Sequence, residues 1–331
     1  MRMMDIPYLA GIAFRIIVLK KKIPLIANWK ITDRCNYRCR YCSCGQNGND
    51  KTELSTGDVF KIIDQLLSSG IKIIGFTGGE PFIRDDFGKI VEYCYMRSMS
   101  VSVNTNGSLI TRHINQLRKL KRINLSLDGP RDINDYIRGN GSFDNVMRAI
   151  AIAREKNIRV VEVTTVLSNK NINYIDTLLR LAQELEVRIN FQIATHFIYG
   201  SKEKNQLAPS ESEIKKAVSF LLKVRPFNKY IGNSTAGLRY LLTYPEYKPM
   251  RCSQGMIVAR IGGDGILYRC DSCLDTKNQK TRSILEIGFN KAWAELKPYI
   301  CRTGCGCVKA VELNHIMRGN ISTCLNAISL F

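Results

Sequence analysis

The sequence predicts an α/β fold: a parallel sheet with helices on its outer side, followed by a smaller cysteine-rich unit. Three observations carry this. From residue 24 to about 194, six strand-like runs alternate with five helix-like ones, the pattern of strands joined by helical crossovers. Behind each of the first four strands stands a cluster of cysteine, glycine or polar residues, where parallel α/β folds carry their function. Beyond residue 200 the alternation stops, and seven cysteines fall within 73 positions.

The strands are expected at Pro24–Ile31, Lys72–Thr77, Ser100–Thr105, Arg122–Leu127, Val160–Val166 and Val187–Ile193, with helices near 56–69, 86–98, 111–120, 142–156 and 171–186. Ser55 or Thr56 caps the first of these helices, and Asp58 lies in its opening turn. Ahead of the sheet, Ile6, Leu9, Ala10, Ala13, Phe14 and Ile17 recur at helical spacing, and Lys20, Lys21 and Lys22 close the segment. Arg15 interrupts the apolar run and no small-residue cleavage site follows, which disfavours an export signal. Such a cationic amphipathic helix either covers the open side of a core or lies on an anionic membrane surface. Past residue 200, Pro209–Val224 and Asn233–Tyr244 read as helices, with Pro245 and Pro249 punctuating the link. Ile257–Ile261 and Ile266–Arg269 flank Gly262-Gly263-Asp264-Gly265, a hairpin signal that brings Cys252 and Cys270 together. The expected organisation is an N-terminal helix at 1–22, the sheet-and-helix unit at 23–200, a helical linker at 201–250 and a cysteine-rich module at 251–331.

Bulk properties exclude several classes. The 331 residues, 45% hydrophobic and 24% charged, suit a soluble globular protein rather than a disordered chain or a membrane bundle. No run approaches the roughly eighteen apolar residues needed to cross a bilayer. Twelve cysteines in a chain this long, clustered and without an export signal, argue for metal ligation in a reducing, cytoplasmic compartment. The net charge of +20 favours anionic partners, or reflects only a basic composition. Its local concentration, Arg112 to Arg122, reads as the solvated face of a short helix.

The most informative stretch is Cys35-Asn36-Tyr37-Arg38-Cys39-Arg40-Tyr41-Cys42, directly after the first strand. Thiolates at this spacing suit soft metals, and an iron–sulfur cube takes four. Here three stand close, and Cys44 is poorly placed to complete the set. A cube on three ligands keeps one iron open for chemistry. A zinc knuckle is the competing reading, though the spacing is not that of paired CxxC hooks.

Together with Thr32-Asp33-Arg34 before it and Thr77-Gly78-Gly79-Glu80-Pro81 after it, this stretch resembles the radical S-adenosylmethionine enzymes. Their CxxxCxxC loop and Gly-Gly-Glu strand end stand here without a substitution, and the likeness covers roughly residues 24 to 200. It implies an open partial (β/α)6 barrel and a [4Fe-4S] cluster on Cys35, Cys39 and Cys42, bound together with S-adenosylmethionine. Gly78, Gly79 and Glu80 would hold the amino group of that ligand. Asn104 and Asn106 in Asn104-Thr105-Asn106-Gly107, Ser126 and Asp128 in Ser126-Leu127-Asp128-Gly129, and Tyr41 would border it, with Arg138 as partner of its carboxylate. The C-terminal region resembles SPASM and twitch modules, which carry auxiliary iron–sulfur clusters; Gly265 stands five residues before Cys270 as in those modules. Its Cys301-x3-Cys305-x-Cys307 departs from the full pattern. One auxiliary cluster on Cys252, Cys270 and two of Cys301, Cys305 and Cys307 is expected, a second if Cys273 and Cys324 also ligate, and a zinc site is the alternative. The fold of this small segment is expected to depend on its metal.

Cys94 reads as a small buried hydrophobe. Of three histidines, His196 follows the sixth strand and is a candidate to face the cavity, with Glu162, Gln192, Tyr199 and Asp271. The implied activity is reductive cleavage of S-adenosylmethionine to a 5′-deoxyadenosyl radical that takes hydrogen from a peptide or small-molecule substrate. An auxiliary cluster would assist a net oxidation or cross-link, and a flavodoxin or ferredoxin would supply electrons. RNA or a lipid-linked molecule is the alternative substrate. DNA is not expected, since no nucleic-acid module or stacking platform is recognisable. From another class, the rival is a non-catalytic, zinc-stabilised basic binding protein.

Overall fold

The computed structural model describes residues 6–44, 53–198, 201, 203–270, 280–301, 305 and 307–328. Helix α1 (Ile6–Ile17) precedes the sheet. Strands β1 (Ile26–Thr32), β2 (Ile73–Gly78), β3 (Ser100–Thr105), β4 (Arg122–Ser126), β5 (Val160–Leu167) and β6 (Arg188–Ile193) then pair in sequence order, all parallel. Between them lie α2 (Thr56–Ser68), α3 (Phe87–Met96), α4 (Arg131–Arg138), α5 (Ser142–Glu155) and α6 (Ile175–Glu184). Ser55 caps α2, its side chain accepting from the Asp58 amide at 3.1 Å.

Two connections differ from expectation. The segment Ile110–Lys119 forms 3-10 turns broken at His113, whose ring bonds to the Arg84 carbonyl at 2.9 Å instead of following an α-helical course. Helix α4 was not expected, because Pro130 and Gly139 punctuate so short a polar stretch. It buries one face, Asn134, Ile137 and Arg138. The basic residues of 112–122 are largely paired: Arg112 with Asp85, Lys119 with Glu92 and Arg122 with Glu162.

The sheet continues past its expected edge. Helices α7 (Glu211–Val224) and α8 (Thr235–Leu241) lead to a short strand β7 (Met250–Arg251). Then β8 (Val258–Ile261) pairs parallel with β1, Ile26 opposite Val258, and β9 (Ile266–Tyr268) and β10 (Lys280–Ser283) follow antiparallel. The expected hairpin is present, annexed to the main sheet. Among the described residues this gives nine strands in one open sheet, with β6 and β10 as its edges. After α9 (Ile284–Ile287) and α10 (Phe289–Glu295), strand β11 (Ile300–Cys301) pairs with β7, and α11 (Val308–Ile316) and α12 (Ile321–Ile328) end the chain.

The core explains this layout. Trp29, Phe76, Phe82, Phe87 and Phe191 are fully buried behind the six parallel strands, and Phe289, Trp293, Leu296 and Val311 from the C-terminal region join the same cluster. Each such side chain contributes roughly 1.5–3 kcal/mol. A second cluster joins Ile16 of α1 to Met256, Ile257, Val258 and Met317. Helix α1 therefore covers the chain's own core with one face, while Phe14 just beside it stays exposed. No helix of the described residues is long and apolar enough to cross a membrane.

Candidate active site

The first cysteine loop leaves β1 and is fastened by polar contacts from the ends of β3 and β4 and from helices α4 and α5. Asn106, after β3, donates to the Asn36 side chain at 3.0 Å, and Asn36 donates to Ser108 at 2.9 Å. Asn145 on α5 donates to the Tyr37 hydroxyl at 2.7 Å. The firmest tie is a trio of half-buried Tyr41 with buried Asp128 and Arg138. The Tyr41 hydroxyl donates to Asp128 at 2.7 Å, and Arg138 Nε pairs with the same carboxylate at 2.7 Å. Arg138 also bonds to the Tyr41 hydroxyl, and its Nη1 stands 3.9 Å from Cys39 Sγ. Burial pulls the Arg138 pKa down, but the charges of Asp128, Tyr41 and Cys39 outweigh it and hold the guanidinium ionised.

The paired glycines have a steric cause. A Cβ on Gly79 would lie 2.1 Å from the Arg34 carbonyl oxygen, and one on Gly78 2.5 Å from that of Thr32. The strand end is pressed against the backbone that leads into the cysteine loop, and the amides of Gly79 and Glu80 donate there at 2.9 and 2.8 Å. The chain's own backbone, rather than a ligand alone, demands the missing side chains.

Glu80 is fully buried and does not line the cavity; its oxygens accept from the Phe82 amide (3.1 Å), the Thr105 hydroxyl (2.7 Å) and the Asn106 amide (2.8 Å), so it organises the turn beside the glycines. Burial pushes its pKa up to about 7. Asp128 is also fully buried and absent from the lining; it binds Tyr41, Arg138 and the Val166 amide (2.8 Å). Its partner Arg138 does reach the cavity wall, already paired.

A cavity of about 380 Å³ opens at the C-terminal ends of the strands. Cys35, Cys39, Cys42 and Cys44 line it, with Tyr41, Gly78, Gly79, Asn104, Asn106, Ser126 and Arg138. So do Cys252, Cys270, Cys305 and Cys307 from the far end of the chain. Three of the C-terminal thiols neighbour the fourth: burial, and then the proximity of Cys307, Cys270 and Cys252, raises the Cys305 pKa well above its usual value. Burial likewise pushes Cys35 up to about 12 and raises Cys39. Cys42 and Cys44 share a hydrogen bond that raises the first and lowers the second. Among the described residues no three thiol, imidazole or carboxylate groups are drawn together as around a single ion; the thiols line a space instead.

Other expected residues fall elsewhere. Cys94 is fully buried in the main core, as expected. His196 stacks on Tyr244 with ring centroids 5.1 Å apart and is not part of the lining. Gln192 lines the cavity, and Glu162 lies beneath it, paired with Lys309 and Arg122. The Cys301 side chain, Tyr199, Asp271 and Cys273 lie outside the described residues, and Cys324 sits on α12 away from the lining. Residues not anticipated include Asn28, Asn124, Thr164, Arg260, Arg269 and Lys309. The first four face the lumen from strands, linked by Asn124 to Asn104 at 3.0 Å, Thr164 to Asn124 at 2.9 Å and Arg260 to Asn28 at 2.8 Å. A polar residue at every second place of an otherwise apolar strand was the signal that marked them.

Fold and thiol-lined cavity together define an α/β protein built around sulfur ligands at its strand ends. A family model described as the Radical SAM superfamily matches residues 29–182. Mycofactocin maturase MftC of Mycobacterium tuberculosis (strain CDC 1551 / Oshkosh) is 32% identical over 275 residues, 82% of this chain and 70% of that protein. Fe-coproporphyrin III synthase of Methanosarcina barkeri (strain Fusaro / DSM 804) is 34% identical over 215 residues, 62% of this chain and 52% of that protein. Among solved structures, Streptococcus suis SuiB bound to S-adenosylmethionine matches with a TM-score of 0.69 at 18% identity, over 87% of this chain and 71% of that one. SuiB bound to the precursor peptide SuiA matches at 0.67 and 16% identity, over 87% and 67%. These two likenesses bear on the fold. The chain belongs to the radical SAM superfamily and is an enzyme of that class, which sets aside the non-catalytic zinc reading. Membership implies a [4Fe-4S] cluster with S-adenosylmethionine. The residues present fit it: three soft thiols at the mouth of the sheet, a cavity beside them, and polar strand ends around its rim.

Proposed function

We propose that this enzyme cleaves S-adenosylmethionine reductively at the Cys35, Cys39 and Cys42 site and abstracts hydrogen from a peptide, with an auxiliary cluster on Cys252, Cys270, Cys305 and Cys307 assisting a net oxidation or cross-link. The observation that carries it is the shared cavity: both thiol sets line one space. Cys35, Cys39 and Cys42 would hold the cluster, which, once reduced by an external donor, would supply the one-electron chemistry for cleavage of the S–C5′ bond. The chain's own residues do the positioning. Tyr41, Asp128 and Arg138 lock the cysteine loop onto β4 and α4, and Arg138 sets a permanent cation beside Cys39. Gly78 and Gly79 bring β2 against the same loop, with Asn104, Asn106 and Ser126 completing the rim for the ligand. Support for a peptide comes from relatives: MftC is a maturase, and SuiB was solved with a precursor peptide. The likeness to Fe-coproporphyrin III synthase favours a small molecule as the second reading.

The test is to replace Cys35, Cys39 and Cys42 together by Ala, reconstitute without air, and count iron and sulfide. About one cube's iron should disappear, together with reductant-dependent formation of 5′-deoxyadenosine. Cleavage at the parent rate would sink the assignment.

A further inference from the structure

We propose that the substrate presents a carboxylate to this cavity and that Arg269 and Lys309, on its C-terminal wall, receive it. The inference deepens the functional reading above and rests on it. Among the described residues lining the cavity there is no aspartate or glutamate, whereas Arg138, Arg260, Arg269 and Lys309 all contribute. Three of these cations are engaged within the fold: Arg138 with Asp128 at 2.7 Å, Arg260 with the Asn28 side chain at 2.8 Å, and Lys309 with Glu162. Arg269 differs. Its guanidinium lies over the Tyr299 ring, 4.7 Å from the centroid, and its buried Nε has no hydrogen-bond partner among the described residues. A planar fork stacked on an aromatic ring keeps its edge for a carboxylate.

Lys309 reaches into the cavity from the first turn of α11 and pairs with Glu162 below it. That carboxylate is 1% exposed and is shared with Arg122 at 3.6 Å, so Lys309 does not hold it alone. A neutral substrate would cover these charges without compensating them, and taking a charge out of water unpaired is costly. A carboxylate would gain charge-assisted hydrogen bonds in a site of low dielectric. The competing use of the same cations is to balance neighbouring thiolates, since Arg269 adjoins Cys270 and Lys309 lies two residues after Cys307.

The experiment uses the full chain, reconstituted without air with iron and sulfide, and two pools of random decapeptides. One pool has free carboxyl termini and includes Asp and Glu; the other is amidated and has neither. Both are equilibrated with the protein and S-adenosylmethionine at 0.15 M salt, where surface charge is screened beyond about 8 Å. Retained peptide is measured by mass spectrometry after ultrafiltration. The acidic pool should be retained about tenfold more strongly. Arg269→Gln with Lys309→Gln should cut that preference about tenfold, the scale of one or two charged hydrogen bonds. Arg269→Lys with Lys309→Arg, which keeps charge and bulk, should retain most of it. Lys61→Gln with Lys215→Gln, on the outer faces of α2 and α7, should leave it intact. Equal retention of the pools overturns the proposal. So does a preference that survives the Gln pair, which would trace to the net charge of +20. Loss of iron and sulfide in step with the preference overturns it too, assigning the cations to the thiolates. Reductant-dependent 5′-deoxyadenosine formation by the parent is scored separately. Its absence overturns the functional reading and leaves the retention result standing.

Discussion

Asp128→Asn tests whether the trio of Tyr41, Asp128 and Arg138 is what holds the cysteine loop. The substitution keeps the shape and leaves an oxygen for the Val166 amide, now donated at 2.8 Å, but removes the charge facing Arg138. Asp128 is 0% exposed and Arg138 7%, so the Nε that faces Asp128 loses its partner in a largely buried setting. An uncompensated buried cation costs about 3–5 kcal/mol. A chain of 331 residues has an unfolding entropy near 0.7 kcal/mol per kelvin, so the midpoint should fall by about 4–7 °C. The assay is thermal unfolding of the unloaded protein under anaerobic conditions, followed by iron and sulfide counts after reconstitution. Adding Arg138→Met should recover at least half the loss, because the stranded charge is then gone; a double-mutant cycle measures that coupling. A change below about 1 kcal/mol, or no recovery in the double variant, would refute the argument that this pair fastens the loop.

Gly79→Ala should lower stability by more than about 2 kcal/mol and impair cluster loading, since the added methyl meets backbone 2.1 Å away; unchanged denaturant midpoint and iron content would contradict this. Glu80 should give a pH signature. Its pKa rises from 4.5 to about 7 on folding, so the fold binds the extra proton, and its contribution to stability is full below about pH 4.5 and lost as pH rises through 7. In Glu80→Gln that downward slope should vanish from urea titrations across the window, and a parallel slope in both proteins would refute the assignment. Cys94→Ala should leave iron content and 5′-deoxyadenosine formation unchanged at a cost of about 1–2 kcal/mol, and loss of a cube's iron would show that Cys94 was misplaced in the core.

Much of the fold was legible because short, apolar-rich strand runs stand between helical periods, with one strand face buried in the core and the other turned to the cavity. The run at 100–105 coincides with β3, and the others fall within a few residues of the observed strands. Pairing between distant segments leaves no such trace. That β8 docks beside β1, across more than two hundred residues, is decided by Val258 and Ala259 meeting Ile26 and Ala27, not by anything local to either. Helix α4 escaped notice for the opposite reason: its signals are local, but proline and glycine at its ends mimic a loop. At the site, motif spacing marked the thiols and glycines that meet at the cavity, and it left the bonding of the carboxylates unread. Glu80 and Asp128 sit in turns that look open in sequence, yet each is turned inward and accepts from a backbone amide of a neighbouring segment, Asn106 and Val166 respectively.

This division between geometry and charge says what the chain settles by itself. Backbone amides, asparagines and one buried ion pair fasten the loop through the chain's own contacts. The thiols are left in the opposite condition. Burial holds Cys35, Cys39 and Cys305 in their protonated forms, and at the first site the Tyr37 amide at Cys35 and Arg138 beside Cys39 offset it only in part. A thiolate at any of these places is unfavourable until a cation sits against it, which ties proton release to metal capture. The same low-dielectric setting that makes bare thiolates costly strengthens every charge pair within it. That is why a cavity lined by four cations and, among the described residues, no carboxylate leaves its electrostatics to be completed by what binds there.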